Sequence, residues 1–345
     1  MYKYLFKNDY SELAHAEVLA ALAAVGEQQL AGYGEDVISL ETQEILRDLL
    51  KQPAADVHFI TSGTLANLIG LSWMMTPAGA VLAADTGHIN VHEAGALEAT
   101  GHKILGVANP EGKVDVEKME ALVKLHEHEH MVTPEVIYLS QPTELGTVYT
   151  RTEFEAVSEF CRRHGLYLYV DGARMGTAIT SQGNDLELPT LAALADMLYI
   201  GGTKNGVLFG EALVVTNSRF QKNFRGAIKQ RGGLLAKSYS ISAQFKALFQ
   251  DNLYFQLAAH ANAMAQRLVE GIEKLGYGFH SPTQTNQVFP IIPRSVIEQL
   301  ETMYGFYIWV EPDGGDPAIR LVTSWATPAS AIDVFLSDLA SITRE

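Results

Sequence analysis

An α/β fold with a mostly parallel sheet, completed by a small C-terminal α+β domain, is the architecture this sequence predicts. Three observations point to it. From about residue 58, short apolar runs alternate with amphipathic segments, as strand–helix–strand units require. Two of those runs, 166–170 and 198–200, end in polar residues, at Asp171 and at Thr203 and Lys204. Open sheets of this class carry their ligand sites outside such carboxyl ends. Beyond residue 276 the alternation gives way to short strands mixed with helices. The expected organisation is an N-terminal arm at 1–12, a large α/β domain at 13–250 and a small α+β domain at 251–345.

Taken in order, residues 11–31 carry Leu13, Leu19, Leu22 and Leu30 in an Ala-rich background, which predicts a helix. Gly32 and Gly34 mark a turn, and 40–50 reads as a second helix, stopped near Pro53. A strand at 58–60 runs into Ser62, Gly63 and Thr64, which open a helix at about residue 65. A strand at 81–84 precedes a helix near His88, and 114–125 is an amphipathic helix. A strand at 136–140 follows, then Thr152 and Glu155 stand at capping-box spacing for a helix ending at His164 and Gly165. Residues 217–275 read as helical. The last part has strands at 288–292, 306–310 and 319–322, and Thr327-Pro328 starts a final helix.

Composition narrows the function classes. With 25 Lys+Arg against 40 Asp+Glu, the formal net charge is −15 over 345 residues. Such an acidic chain is ill suited to phosphate backbones or an anionic membrane surface. No apolar run reaches the ~20 residues that span a bilayer, and the N-terminus reads without a signal-peptide core. Cys161 is the single cysteine, so no intrachain disulfide can form. A soluble protein of the reducing cytoplasm is expected.

The chemistry centres on Asp171 and Lys204. A pyridine-based cofactor asks for this pair: a lysine for the Schiff base and an acid that keeps a proton on the ring nitrogen. Desolvation at a strand end would lower the Lys204 pKa toward the neutral amine. Arg174 offers a fork for a carboxylate or phenolate oxygen, or else a salt bridge to Asp171. The turn Ser62-Gly63-Thr64 at a helix N-terminus suits an anion such as phosphate, although Ser62 also reads as a plain N-cap. His88 is placed to lie on a planar ring or to be structural. Arg320 interrupts the apolar run 319–322, aimed either at solvent or at an acidic ligand. His126, His128 and His130 alternate with glutamates. They follow a helix and precede Pro134, so a solvated loop is expected rather than a metal site.

In order along nearly the whole chain, a set of motifs resembles the threonine aldolases of the β-eliminating lyase superfamily, pyridoxal-phosphate enzymes of fold type I. They are Asn8-Asp9-Tyr10-Ser11, Tyr33-Gly34-Glu35-Asp36, Ser62-Gly63-Thr64 with Asn67, His88 with Glu93-Ala94-Gly95-Ala96, Asp171-Gly172-Ala173-Arg174, Gly201-Gly202-Thr203-Lys204-Asn205-Gly206 and Arg320-Leu321-Val322. The last glycines lead on to Gly210-Glu211-Ala212, a form similar to the bacterial low-specificity or phenylserine-type branch. The resemblance implies cleavage of L-3-hydroxy-α-amino acids to glycine and an aldehyde. Lys204 would carry pyridoxal phosphate, Asp171 would pair with its ring nitrogen and His88 would stack on the ring. Gly63 and Thr64 would bind the phosphate with help from Lys229 of a neighbouring subunit, while Tyr33 would reach a site across the interface. Arg174, Arg320 and Asn8 would hold the substrate carboxylate. A homotetramer, a dimer of dimers, is implied; from the residues themselves, no metal site is expected.

One departure concerns the reacting hydroxyl. Where the family has Glu-Asn-Thr-His-Asn-Gly, this chain has Gln141-Pro142-Thr143-Glu144-Leu145-Gly146, so Glu144 stands at the histidine position. Glu144, His88 and a water are all open as the base. Asn8 stands where the family often has serine. Two rivals share these residues: β-elimination or racemisation on the same fold, and a non-catalytic metal-binding or regulatory protein.

Overall fold

The computed structural model describes residues 2–109 and 111–344. Its centre is a seven-stranded sheet in the spatial order Asp56–Ile60, Glu211–Val215, Met197–Gly201, Tyr167–Asp171, Thr133–Ser140, Gly79–Ala84 and Lys103–Val107. Glu211–Val215 pairs antiparallel with both neighbours, and all other pairings are parallel. The mostly parallel α/β sheet is therefore present. The strands Lys103–Val107 and Glu211–Val215 are additions to the sequence reading.

Alternate residues of each strand enter opposite layers. Leu82, Ile137, Val170 and Ile200 join one apolar cluster, while Val81, Val136, Tyr138, Tyr169 and Tyr199 join the other. Both faces are thus covered, which explains runs that look uniformly hydrophobic. The helix Gly63–Met74 lies on the second face through Ala66, Ile69 and Leu71. Parity then matters: Asp171 has the same parity as Tyr169, so it points to this same face.

A third cluster joins Ala265, Leu268, Ile297, Leu321 and Phe335. Phe6 belongs to it, because the arm's strand Tyr4–Leu5 pairs in parallel with Tyr304–Gly305. The helix Leu253–Lys274 serves two cores: Leu253 and Leu257 join the first cluster, and Ala265 and Leu268 the third.

Three local expectations are corrected. The capping box uses Thr150 and Glu153, not Thr152 and Glu155. Both spacings occur in the sequence, but Thr150 is the last extended residue, and Glu155 pairs instead with Arg151 on the surface. The first helix spans only Ala16–Val25, ending at Gly26. The strand expected at 288–292 is Gln287–Val288, continued by isolated bridges at Pro290 and Ile291. Residues 126–130 form no helix or strand. His126 is buried and bonds the Leu122 carbonyl through Nδ1 (2.8 Å), whereas 127–130 are exposed. Among the described residues no three His, Cys, Asp or Glu converge as metal ligands, and no helix is long and apolar enough to cross a membrane.

Candidate active site

At the carboxyl edge of the sheet lies a cavity of about 690 Å³. Its lining includes Gly63, Thr64, His88, Glu144, Asp171, Arg174, Lys204 and Arg320, which come from six separate segments of the chain.

Asp171 forms the floor and is 3% exposed. Its Oδ1 accepts from Tyr199 Oη (2.5 Å) and the Ala173 N–H (3.0 Å). Its Oδ2 accepts from Tyr138 Oη (2.6 Å) and Asn67 Nδ2 (3.0 Å). The tyrosines arrive because they share the parity of Asp171 on neighbouring strands; Asn67 arrives from the helix laid over that face. A Cβ at Gly172 would collide with the Tyr199 carbonyl, so glycine allows the tight turn that brings Ala173 back to the carboxylate. Burial alone would raise the Asp171 pKa. Charge from His88 and the bonds from Tyr138, Tyr199 and Asn67 outweigh it and hold the carboxyl below its usual range.

Lys204 follows the strand Met197–Gly201. Burial and the positive charge of Arg174 lower its pKa, against the pull of Asp9, Asp171 and Glu211. Glu211 is buried; its Oε1 accepts from Thr203 Oγ1 (2.7 Å) and its Oε2 from the Gly202 N–H (2.8 Å). Burial pushes its pKa up to about 7, although those bonds and Lys204 act the other way.

Ser62 caps the helix Gly63–Met74, accepting from the Leu65 N–H (3.3 Å). A Cβ at Gly63 would lie 2.9 Å from Tyr199 Oη, so only glycine keeps this helix start close to the floor. The helix N-terminus presents free N–H groups and its positive dipole end to the cavity. His88 Nδ1 pairs with Glu93 Oε1 (2.8 Å), which also accepts from Asn67 Nδ2 (2.7 Å). Glu144 is buried, and its Oε1 accepts from the His88 N–H (2.9 Å) and Ser140 Oγ (2.5 Å). Burial raises its pKa, and the charge of Asp171 adds to that, against the Ser140 bond.

Arg174 does not pair with Asp171. It makes a two-pronged bond to the arm residue Asp9, Nε to Oδ2 (2.6 Å) and Nη2 to Oδ1 (3.2 Å), and Asn286 also donates to Asp9 (2.9 Å). Burial disfavours the Asp9 charge, but Arg174 and Lys204 outweigh this and lower its pKa. Arg320 lies against aromatic rings, 4.8 Å from the Trp309 centroid and 5.5 Å from that of Tyr307, and donates to the Lys7 carbonyl (3.3 Å).

Three expected site residues lie outside the cavity. Asn8 turns its Oδ1 back on its own loop, accepting from the Tyr10 N–H and Ser11 Oγ (both 3.0 Å), and Tyr10 lines the cavity instead. Tyr33 and Lys229 sit together, with the Lys229 ammonium 4.7 Å from the Tyr33 ring centroid. Asp9, Tyr138, Ser140, Tyr199, Glu211 and Trp309 carry the site but were not singled out from sequence. The polar tips at alternate positions in apolar runs, Tyr138, Ser140 and Tyr199, were a signal that strand parity could have found.

A buried carboxylate held ionised by four donors, a lysine with a lowered pKa in the same cavity, and a helix start built for an anion fit pyridoxal phosphate. Fold and site together define a pyridoxal-phosphate enzyme of fold type I. The family model described as beta-eliminating lyase matches residues 14–294, and the chain belongs to that family. The low specificity L-threonine aldolase of Pseudomonas aeruginosa is 30% identical over 327 residues, covering 94% of this chain and 93% of that protein. Among solved structures, the Leishmania major threonine aldolase has a TM-score of 0.97 at 43% identity, covering 99% of each chain. SPT solved with PLP shares the fold alone, with a TM-score of 0.73 at 16% identity, covering 99% of this chain and 87% of that one.

Proposed function

We propose that this chain cleaves L-3-hydroxy-α-amino acids, such as L-threonine, L-allo-threonine and phenylserine, to glycine and an aldehyde. The observation that carries this reading is the pairing, in one cavity, of the ionised Asp171 floor with Lys204. Bound pyridoxal phosphate supplies an electron sink for the pair released when the Cα–Cβ bond breaks.

The chain's own residues do the rest. Lys204 would hold the cofactor through Nζ, and its burial favours the neutral amine that this bond needs. Asp171 would keep a proton on the ring nitrogen, which a carboxylate with a lowered pKa can do throughout the neutral range. Gly63 and Thr64 would receive the phosphate, joined by Lys229 of a neighbouring subunit, and His88 would cover the ring. Arg320 and Arg174 would clamp the substrate carboxylate. Asp9 occupies Nε and Nη2 of Arg174 and leaves Nη1 for that purpose. The clamp sets the scissile bond across the ring plane, and orientation of this kind supplies up to ~7–11 kcal/mol in favourable cases. Glu144 is the base we favour over His88 or a water for the β-hydroxyl proton: its Oε2 is buried without a partner, and its raised pKa suits proton uptake.

We further propose a cytoplasmic dimer of dimers, with 13–250 and 251–345 as its domains behind the arm 1–12. Leu13, Val37 and Leu40 are 68%, 55% and 51% exposed, apolar side chains that a second copy would cover, and Tyr33 and Lys229 would enter the neighbour's site together. Light scattering should return four chains, and cell fractionation should place them in the cytosol.

The test begins with added pyridoxal phosphate. A visible absorption band should form and be lost in Lys204→Ala, together with cleavage. Absence of the band in the unmodified chain would sink the enzyme reading. Pyruvate and ammonia in place of glycine and an aldehyde would move the function to β-elimination.

A further inference from the structure

A continuous hydrogen-bonded path joins the two buried carboxylates of the cavity. Ser140 Oγ lies 2.5 Å from Glu144 Oε1 and 3.1 Å from Tyr138 Oη, and Tyr138 Oη donates to Asp171 Oδ2 at 2.6 Å. The path follows from the sheet: Ser140 pairs with Asp171 in register, and Tyr138, two residues back, shares its face. All four side chains are at most 9% exposed.

The proton count on this path is decisive. The Tyr138 hydrogen is committed to Asp171, so Tyr138 can only accept from Ser140. Ser140 has one hydrogen and two acceptors within reach. While Glu144 is ionised, the charge-assisted bond at 2.5 Å takes that hydrogen. Once Glu144 carries a proton on Oε2, Oε1 is a neutral carbonyl oxygen with a weaker claim on that hydrogen, and the Ser140 hydroxyl turns it to Tyr138. Tyr138 then receives a donor, which polarises its own O–H and strengthens its bond to Asp171.

We propose that Ser140 is a positioning residue that couples the protonation of Glu144 to the hydrogen bond holding Asp171. It rests on the reading of this cavity as a pyridoxal-phosphate site. No proton passes beyond Glu144; the substrate hydroxyl loses it, Glu144 gains it and Ser140 only reorients. When Glu144 takes up the proton, the bond that keeps the Asp171 carboxylate in place tightens in the same event. The other charged or titratable groups around Glu144 are Asp171, Arg174, Tyr138, Tyr149 and His88. None but Tyr138 lies on the Ser140 path to Asp171.

The test uses the holoenzyme without substrate, titrating its visible absorption band against pH, and then the pH profile of kcat/KM. Removing the hydroxyl deprives ionised Glu144 of a donor, so its pKa should rise. In Ser140→Ala the band's Glu144-linked step and the acidic limb of kcat/KM should both move up by about one unit. Ser140→Thr keeps a hydroxyl and should restore both. In a Glu144→Gln background the serine substitution should leave the band titration unmoved. An unmoved band in Ser140→Ala, or a shift that persists with Glu144→Gln, would overturn the proposal. A holoenzyme with the band but no cleavage would count against the function proposed above, while the band titration still decides the role of Ser140.

Discussion

The floor of the cavity and its wall bury carboxylates in opposite ways. At the floor, each oxygen of Asp171 has two donors, and the sum of bonds and the His88 charge outweighs burial, so the acid stays ionised. On the wall, one oxygen of Glu144 has two donors and the other has none, burial prevails and the pKa rises. Gln287 Oε1 and Arg320 Nε on the same wall are also buried without a partner. Burial therefore does not set the charge state alone; neighbouring charge and the count and direction of donors decide it. A saturated carboxylate serves as a fixed charge, and an unsaturated one can exchange a proton.

The contrast breaks most severely at the floor. Asp171→Asn removes the fixed charge and points an amide N–H₂ at groups that are themselves donors. Activity should fall by roughly 10²–10⁴-fold, as for other groups that fix a proton in catalysis, with an altered cofactor band in the same sample. A near-normal kcat would mean that the floor charge is dispensable. On the wall, Arg320→Lys keeps the charge but loses the planar contact with Trp309 and Tyr307. A cost of about 1–2 kcal/mol, on the order of a 10-fold loss in kcat/KM carried mostly by KM, is expected from steady-state kinetics.

Glu211 sharpens the comparison through stability. Its folded pKa of about 7 lies above the ordinary 4.5, so between those values the native state binds more protons than the unfolded chain. Stability from this group is complete below about 4.5 and declines as pH rises to about 7, then stays level. Thermal unfolding of the apoprotein across that range should show the decline, and Glu211→Gln should flatten it. The smallest effect is expected far from the cavity. Thr150→Ala removes the capping box of the helix Arg151–His164, costs about 1 kcal/mol in denaturant unfolding and leaves kcat/KM unchanged.

Much of the floor was legible along the chain because it rests on strand ends. An apolar run ending in an acid, and another ending in glycines and a lysine, are local patterns, and the sheet places them side by side without further instruction. The arm was less legible. Asn8 and Asp9 are adjacent polar residues, and their roles depend on the route of the arm. That route is set by the pairing of Tyr4–Leu5 with Tyr304–Gly305, a contact across some 300 residues of sequence. Arg320 was visible as a charge in an apolar strand, but the rings beside it come from the neighbouring strand Tyr307–Val310. The choice between Thr150 and Thr152 also lay beyond local pattern, since both match the same capping signal.

By itself, then, the sequence determined the alternation of strand and helix, the residues that end each strand, and the ordered motifs that mark the family. These depend on periodicity and on chemistry within a few residues. Only the tertiary structure decided that Asp9 braces Arg174, that three side-chain donors saturate Asp171, and that Ser140 stands between two carboxylates. The physical reason is that hydrogen-bond saturation is a three-dimensional count. Each side-chain donor comes from a separate strand or helix, and the charge state of a buried acid follows from their sum together with the neighbouring charges.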